Sequence, residues 1–279
     1  MYQADILNDQ HVIVTGGGTG LGRAMALRFA ELGAKVTICG RREEPLEKTV
    51  ADIREAGGAA EGISCNIRDQ EAVEAFVADA EERQGPVTRL VNNAAGNFLA
   101  EADTLSPNAF DAVVKTNLYG TFYATQACGR RWIERETPGV VLSVSTTYAE
   151  TGSAFVLPSA VSKAGIMALT KSLASEWGVY GIRLNAVAPG PFPTKGAWSR
   201  LVPKEIEEQM RKRVPLGRVG DPRELADFAV FMLTDLSAYM TGEHVIFDGG
   251  EMNFMAGQFN DFARLDREQV KMMFAMMRG

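Results

Sequence analysis

Along the 279-residue chain, short runs rich in β-branched residues alternate with longer stretches whose apolar residues recur at helical spacing. The short runs predict strands over 12–15, 35–39, 62–65, 89–92, 140–143, 183–188 and 244–247. The longer stretches predict helices over 21–32, 45–56, 70–84, 107–135, 159–180 and 222–234. Continuously apolar strands separated by helices of this length belong to a parallel sheet covered on both faces, joined by right-handed crossovers. The expected fold is therefore α/β, a doubly wound parallel sheet of Rossmann type, in a single domain spanning 1–279. Punctuation agrees: Gly33 follows the first helix, Pro45 and Pro107 fall in first turns, and Ser106 offers a cap ahead of Pro107.

Two segments break the alternation. Residues 189–215 are rich in Pro and Gly and then turn helical, which is long for a plain connection and predicts a lid over a substrate. The tail, 250–279, carries Met252, Phe254, Met255, Phe259, Phe262, Met272, Met273, Phe274, Met276 and Met277. So apolar a segment needs cover, and packing against a neighbouring subunit is favoured over a wall of an acyl pocket.

Composition narrows the function classes. Hydrophobic residues make up 46% and charged residues 23%, as in ordinary globular chains. No apolar run approaches the ~18 residues of a membrane span, so no membrane partner is expected. Residues 1–10 have neither a basic region before an apolar core nor an Arg-rich pattern, so no secretory or organellar leader is expected. Lys and Arg number 29 against 35 Asp and Glu, for a formal net charge of -6, which argues against nucleic acid. Cys39, Cys65 and Cys128 form an odd set without CxxC spacing and read as small core residues in a reducing compartment, here taken as the cytoplasm. His11 and His244, the only two histidines, do not suffice for a His-based metal site or a Ser-His-Asp triad; both read as structural or surface residues, and no metal is expected.

The strongest chemical signal is Thr15-Gly16-Gly17-Gly18-Thr19-Gly20-Leu21-Gly22, directly after the first strand and opening the first helix. Glycines let such a turn reach unusual φ angles and let its backbone approach a pyrophosphate, while the helix N-terminus offers free N–H groups. A dinucleotide site is expected, with Gly16, Thr19, Gly20 and Leu21 at the cofactor. The end of the second strand reads Gly40-Arg41-Arg42, with no carboxylate before Glu43. Guanidinium groups there suit the 2′-phosphate of NADP(H) better than a bare ribose.

Together, the glycine-rich turn, Asn92-Asn93-Ala94-Ala95-Gly96, the Lys163 helix and Pro189-Gly190-Pro191 resemble the short-chain dehydrogenase/reductases, in the expected order from about residue 10 to 250. That family usually carries Tyr four positions before its Lys, where this chain has Ser159. A narrower similarity accounts for the difference. Residues 92–98, Thr146 to Ser153, Ser199-Arg200-Leu201 and Gln258-Phe259-Asn260-Asp261 are similar to the NADPH-dependent 2,4-dienoyl-CoA reductases of β-oxidation. The resemblance implies that Tyr148 and Asn97 bind a thioester carbonyl and that Lys163 binds the nicotinamide ribose. It implies that Arg68, Phe98, Ser106 and Arg200 line the acyl-CoA site, with Tyr148 and Ser159 beside them. It also implies cofactor contacts from Asn93, Pro189, Gly190 and Phe192, and from Asn66, where an Asp is common. Relatives are commonly homotetramers.

The chemistry stands on its own terms. Reducing a ketone makes an alkoxide, which needs a proton from an acid of tuned pKa. Reducing a conjugated dienoyl thioester makes an extended enolate, whose oxygen needs stabilisation more than a proton, and two neutral donors can supply it. The rival readings are an aromatic strand cap for Tyr148, a turn residue for Asn97 and a surface lysine for Lys163. Ser159 is read first as a helix cap after Pro158 and Asn117 as a structural bend in its helix, while 211–213 are read as a solvated face rather than a grip on CoA phosphates. Reduction of a 3-oxoacyl thioester or another ketone is the alternative activity, and a non-enzymatic NADP(H)-binding protein the third possibility.

Overall fold

A computed structural model describes residues 2–194 and 204–278. Seven strands form one parallel sheet in the order β3-β2-β1-β4-β5-β6-β7. They are β1 (His11–Thr15), β2 (Lys35–Gly40), β3 (Ala59–Ser64), β4 (Arg89–Asn92), β5 (Gly139–Val144), β6 (Ile182–Pro189) and β7 (His244–Phe247). The chain winds outward through β3 and then returns past β1 to β4, so the order reverses between β1 and β4. A crevice opens at the carboxyl ends of those two strands, where doubly wound sheets bind ligands.

Period-two alternation divides the core between the two faces. Val12 and Val14 of β1 share one core with Met25 and Phe29 of α1 (Gly20–Glu31), Leu46 of α2 (Glu43–Glu55) and Leu225 of α9 (Pro222–Leu233). Ile13 between them turns to the other face, among Phe76 and Val77 of α3 (Gln70–Gln84) and Trp132 of α5 (Gly120–Glu134). Trp132 is 1% exposed and donates its indole N–H to the Val87 carbonyl at 2.6 Å. Truncating a side chain so enclosed costs about 3–5 kcal/mol. Cys39, Cys65 and Cys128 are free and buried, as the sequence leads one to expect.

Three differences from expectation have local causes. β3 starts at Ala59, three residues before the predicted run, because an edge strand with one open side needs no apolar residue at every position. The stretch predicted as one helix over 107–135 is α4 (Pro107–Val114) and α5, joined by a wide π-type turn over Lys115–Tyr119. A one-turn helix, α6 (Tyr148–Thr151), precedes α7 (Leu157–Trp177) and is too short to show any periodicity. Beyond β7 the tail folds into α10 (Glu251–Ala256), a 3₁₀ turn over Asn260–Arg264 and α11 (Arg267–Arg278). Within the segment read as a lid, α8 covers Lys204–Arg213.

Candidate active site

The crevice opens into a cavity of about 1060 Å³, at the upper end of ordinary small-molecule sites (about 300–1,000 Å³). One flank is the glycine-rich turn. Gly16 holds φ +67, a left-handed conformation that costs other residues roughly 1 kcal/mol or more. A Cβ on Gly22 would drive into the Asn93 amide and the Gly16 carbonyl. Asn93 fastens this turn to the end of β4, donating through Nδ2 to the Thr15 carbonyl at 3.0 Å and the Gly16 carbonyl at 3.3 Å. Thr19 precedes α1 without a side-chain cap, so the first-turn amides remain available to an anion.

Gly16, Thr19, Gly20, Leu21, Arg41, Arg42, Asn66, Asn93, Lys163, Pro189, Gly190 and Phe192 all line this cavity. Arg41 and Arg42 are exposed at the end of β2. Asn66 accepts from the Arg68 backbone N–H at 3.3 Å, which orders the loop after β3. Phe192 is buried and stacks on Phe247 with ring centroids 6.0 Å apart. Ser145, following β5, has a buried hydroxyl without a partner among the described residues and lines the same cavity. Backbone amides, guanidinium groups, an unpaired hydroxyl and space that only glycine leaves fit a phosphorylated dinucleotide.

The other flank carries Asn97, Tyr148, Ser159 and Lys163. Asn97 Oδ1 accepts from the Phe98 backbone N–H at 2.9 Å, which turns the amide so that Nδ2 donates to the Tyr148 hydroxyl at 3.4 Å. That hydroxyl lies 3.2 Å from Ser159 Oγ. Ser159 is therefore not the helix cap expected. α7 begins at Leu157 after Val156, so Ser159 sits inside the first turn with its side chain, 2% exposed, turned toward Tyr148. Lys163, one turn further along the same face, is 6% exposed and donates to the Val144 carbonyl at 2.5 Å. Burial disfavours its charged form and pushes its pKa down to about 8.

Asn117 explains how the loop after β4 is held. It lies fully buried in the π-type turn, a local widening often found at functional sites. Its Oδ1 accepts from the Gly96 N–H at 2.8 Å and its Nδ2 donates to the Gly96 carbonyl at 3.1 Å. The same Nδ2 donates to Ser162 Oγ at 3.1 Å. One side chain thus ties the peptide before Asn97 to the helix that carries Ser159 and Lys163.

The expected acyl-site residues separate. Arg68 lines the cavity; Phe98 and Ser106 are not among the described residues that do. The Ser106 hydroxyl caps α4 by accepting from the Ala109 N–H at 3.2 Å. Arg200 lies outside the described residues. Arg213, read from the sequence as part of a solvated face, lines the cavity, and so do Met210, Glu251, Met252, Met255 and Ala256. Burial and nearby Asp248 raise the Glu251 pKa, and the Arg213 charge opposes them. The tail is thus divided: Met252, Met255 and Ala256 line the cavity, Met255 and Ala256 with part of their surface exposed, whereas Phe259, Met272, Met276 and Met277 are exposed and do not line it. Ser145 was missed, although its position just past a strand ending at the crevice could have marked it. Glu251 had no local signal. His244, read as structural or surface, has a side chain only 3% exposed, with Nδ1 donating to Glu150 at 2.8 Å.

This sheet order, with a glycine-rich turn at the reversal and a buried lysine beside a phenol and an amide, defines an oxidoreductase of the dinucleotide-binding α/β type. Residues 16–251 match a family model described as Enoyl-(Acyl carrier protein) reductase, and the chain belongs to that short-chain dehydrogenase/reductase family. It is 45% identical to the probable 2,4-dienoyl-CoA reductase decr-1.2 [(3E)-enoyl-CoA-producing] of Caenorhabditis elegans, over 88% of this chain and 81% of that one. A probable 2,4-dienoyl-CoA reductase [(2E)-enoyl-CoA-producing] of Bacillus subtilis is 42% identical, over 86% of this chain and 95% of its own length. Among solved structures, a gluconate 5-dehydrogenase from Burkholderia cenocepacia in complex with NADP and tartrate superposes with a TM-score of 0.84 at 30% identity. It covers 90% of this chain and 98% of its own.

Proposed function

We propose that this protein uses NADPH to reduce a 2,4-dienoyl-CoA thioester to an enoyl-CoA in the oxidation of unsaturated fatty acids. The observation that carries this reading is the meeting of two neutral donors, Asn97 Nδ2 and the Tyr148 hydroxyl, 3.4 Å apart on the cavity wall. Ser159 stands where the family usually has a phenol. At that separation one acceptor oxygen can lie within hydrogen-bond reach of both donors. Preorganised donors of this kind are worth roughly 3 kcal/mol each to an oxyanion. NADPH, when bound, supplies a hydride to the terminal carbon of the diene. Asn97 and Tyr148 hold the thioester oxygen while charge gathers on it, and Ser159 keeps the phenol in place. Lys163 donates to the nicotinamide ribose and sets a positive charge beside the developing enolate. Arg41 and Arg42 pair with the 2′-phosphate, and Asn66 and Asn93 order the loops around the adenosine and the pyrophosphate.

A proton from solvent, added to the dienolate at the α carbon, leaves a trans-3-enoyl-CoA. Arg68 and Arg213 face the anionic CoA moiety, and Met252, Met255 and Ala256 form an apolar wall for the acyl chain. Within the segment read as a lid, α8 brings Met210 and Arg213 to the cavity wall. The assembly is a homotetramer, supported by exposed apolar residues on the long helices, Phe122 of α5 and Val161 of α7, and by Tyr119 in the turn that leads into α5. No helix among the described residues is long and apolar enough to cross a membrane. Three unpaired cysteines support a reducing compartment, the cytoplasm.

Purified protein should consume NADPH on addition of a 2,4-dienoyl-CoA and yield the 3-enoyl thioester. Tyr148→Phe should lower kcat about 100- to 1,000-fold. Full activity in that variant, or turnover confined to simple ketones, would overturn the reading; a 2-enoyl product would overturn only the site of protonation.

A further inference from the structure

α6 presents two faces. Tyr148 and Thr151, three residues apart, line the cavity, whereas Glu150 between them turns away toward the sheet. A single turn cannot hold itself: helix nucleation is unfavourable, none of its residues is buried, and Thr147 supplies no side-chain cap. Its conformation must be imposed from outside. On the cavity side the anchors are the contacts of Tyr148 with Ser159 and Asn97, which belong to the reacting site. On the opposite side the anchor is the carboxylate of Glu150, which accepts from His244 Nδ1 at 2.8 Å across 94 residues of sequence.

His244 is well placed to act as that anchor. It is the first residue of β7 and pairs in register with Ala186 of the fully buried stretch of β6. Its side chain is 3% exposed, so the ring has no freedom to follow a moving partner. Its Nε2 has no hydrogen-bond partner among the described residues. Among the described residues the ring's polar contact is therefore with Glu150, and a carboxylate acceptor requires the proton on Nδ1.

We propose that the His244–Glu150 hydrogen bond tethers the α6 turn to the sheet and thereby aims the Tyr148 hydroxyl at the oxygen it shares with Asn97. His244 is on this account a positioning residue: it touches neither cofactor nor substrate and acts through Glu150. The proposal rests on the role given to Tyr148 above, and its test separates the two.

Amide hydrogen exchange over 146–152 should become at least about tenfold faster in His244→Leu, and likewise in Glu150→Ala. Glu150 is about a third exposed (36%), so the second variant leaves the core intact even if the first folds poorly. Glu150→Gln, which keeps an acceptor oxygen, should restore near-normal exchange. With a 2,4-dienoyl-CoA, Glu150→Ala should lower kcat about 10- to 100-fold while the affinity for NADPH, read by cofactor fluorescence, stays unchanged. Combined with Tyr148→Phe, it should cause little further loss, because both changes remove the same aimed hydroxyl. Unchanged exchange in both single variants would overturn the tether, and fully additive losses in the double variant would overturn its positioning role. A wild-type protein inert toward every dienoyl-CoA would sink the functional reading, while the exchange comparison would still decide whether the tether exists.

Discussion

Lys163 gives the sharpest test of the energetics. Its ammonium is buried and donates to the Val144 carbonyl, and its pKa falls from 10.5 to about 8. In the unfolded chain it titrates near its ordinary value, so between about 8 and 10.5 the unfolded state binds more protons than the folded one. Stability must therefore rise with pH across that window, and the gain is lost again as pH falls through the folded value. At about 1.4 kcal/mol per pH unit, the interval amounts to about 3 kcal/mol carried as a cost at neutral pH. Lys163→Met removes the titrating group while keeping a long apolar stem. It also leaves the Val144 carbonyl without its donor, an offset of about 1–3 kcal/mol. Urea unfolding of ligand-free protein should therefore show the variant no less stable than wild type at pH 7. The decisive quantity is the difference between the two proteins as pH is raised. Wild type should gain about 3 kcal/mol on the variant from pH 7.5 to 10.5, with other titrating groups cancelling in the subtraction. Parallel curves would refute the claim that the folded protein buries this cation at a cost.

Two further outcomes follow from the site. Replacing Arg41 and Arg42 together by Ala should raise the KM for NADPH about 10- to 100-fold and leave that for NADH nearly unchanged, since only the 2′-phosphate loses its charge-assisted partners; an equal rise for both cofactors would show the pair acting on something else. Asn117→Ala releases both polar groups of Gly96 and the Ser162 hydroxyl at a fully buried position. It should cost about 2–4 kcal/mol in unfolding experiments and lower kcat as well, and a variant as stable as wild type would count against the clamp.

Much of the site was legible before any fold was in hand. The glycine-rich turn, the Arg41-Arg42 pair, the Asn93 loop and the Lys163 helix each announce themselves within a few residues, because a phosphate cradle and a helix face are local constructions. The same holds for most strands, whose burial on both faces demands unbroken apolar runs. β3 was half missed because an edge strand escapes that demand, and the π-type turn at Lys115–Tyr119 was missed because one wide turn barely disturbs helical periodicity.

Ser159 had two plausible uses, and local pattern favoured the cap. The start of α7 at Leu157 settled the matter, because it turned the hydroxyl inward to meet Tyr148 from the far side of a loop. Likewise Asn117 finds Gly96 and His244 finds Glu150 only when the sheet brings distant segments into register. Residue type and short-range spacing determine what backbone a segment can adopt and which ligand chemistry it can offer. Partnership between side chains dozens of residues apart depends on packing angles and strand order, which are properties of the assembled layers that no local stretch of chain encodes.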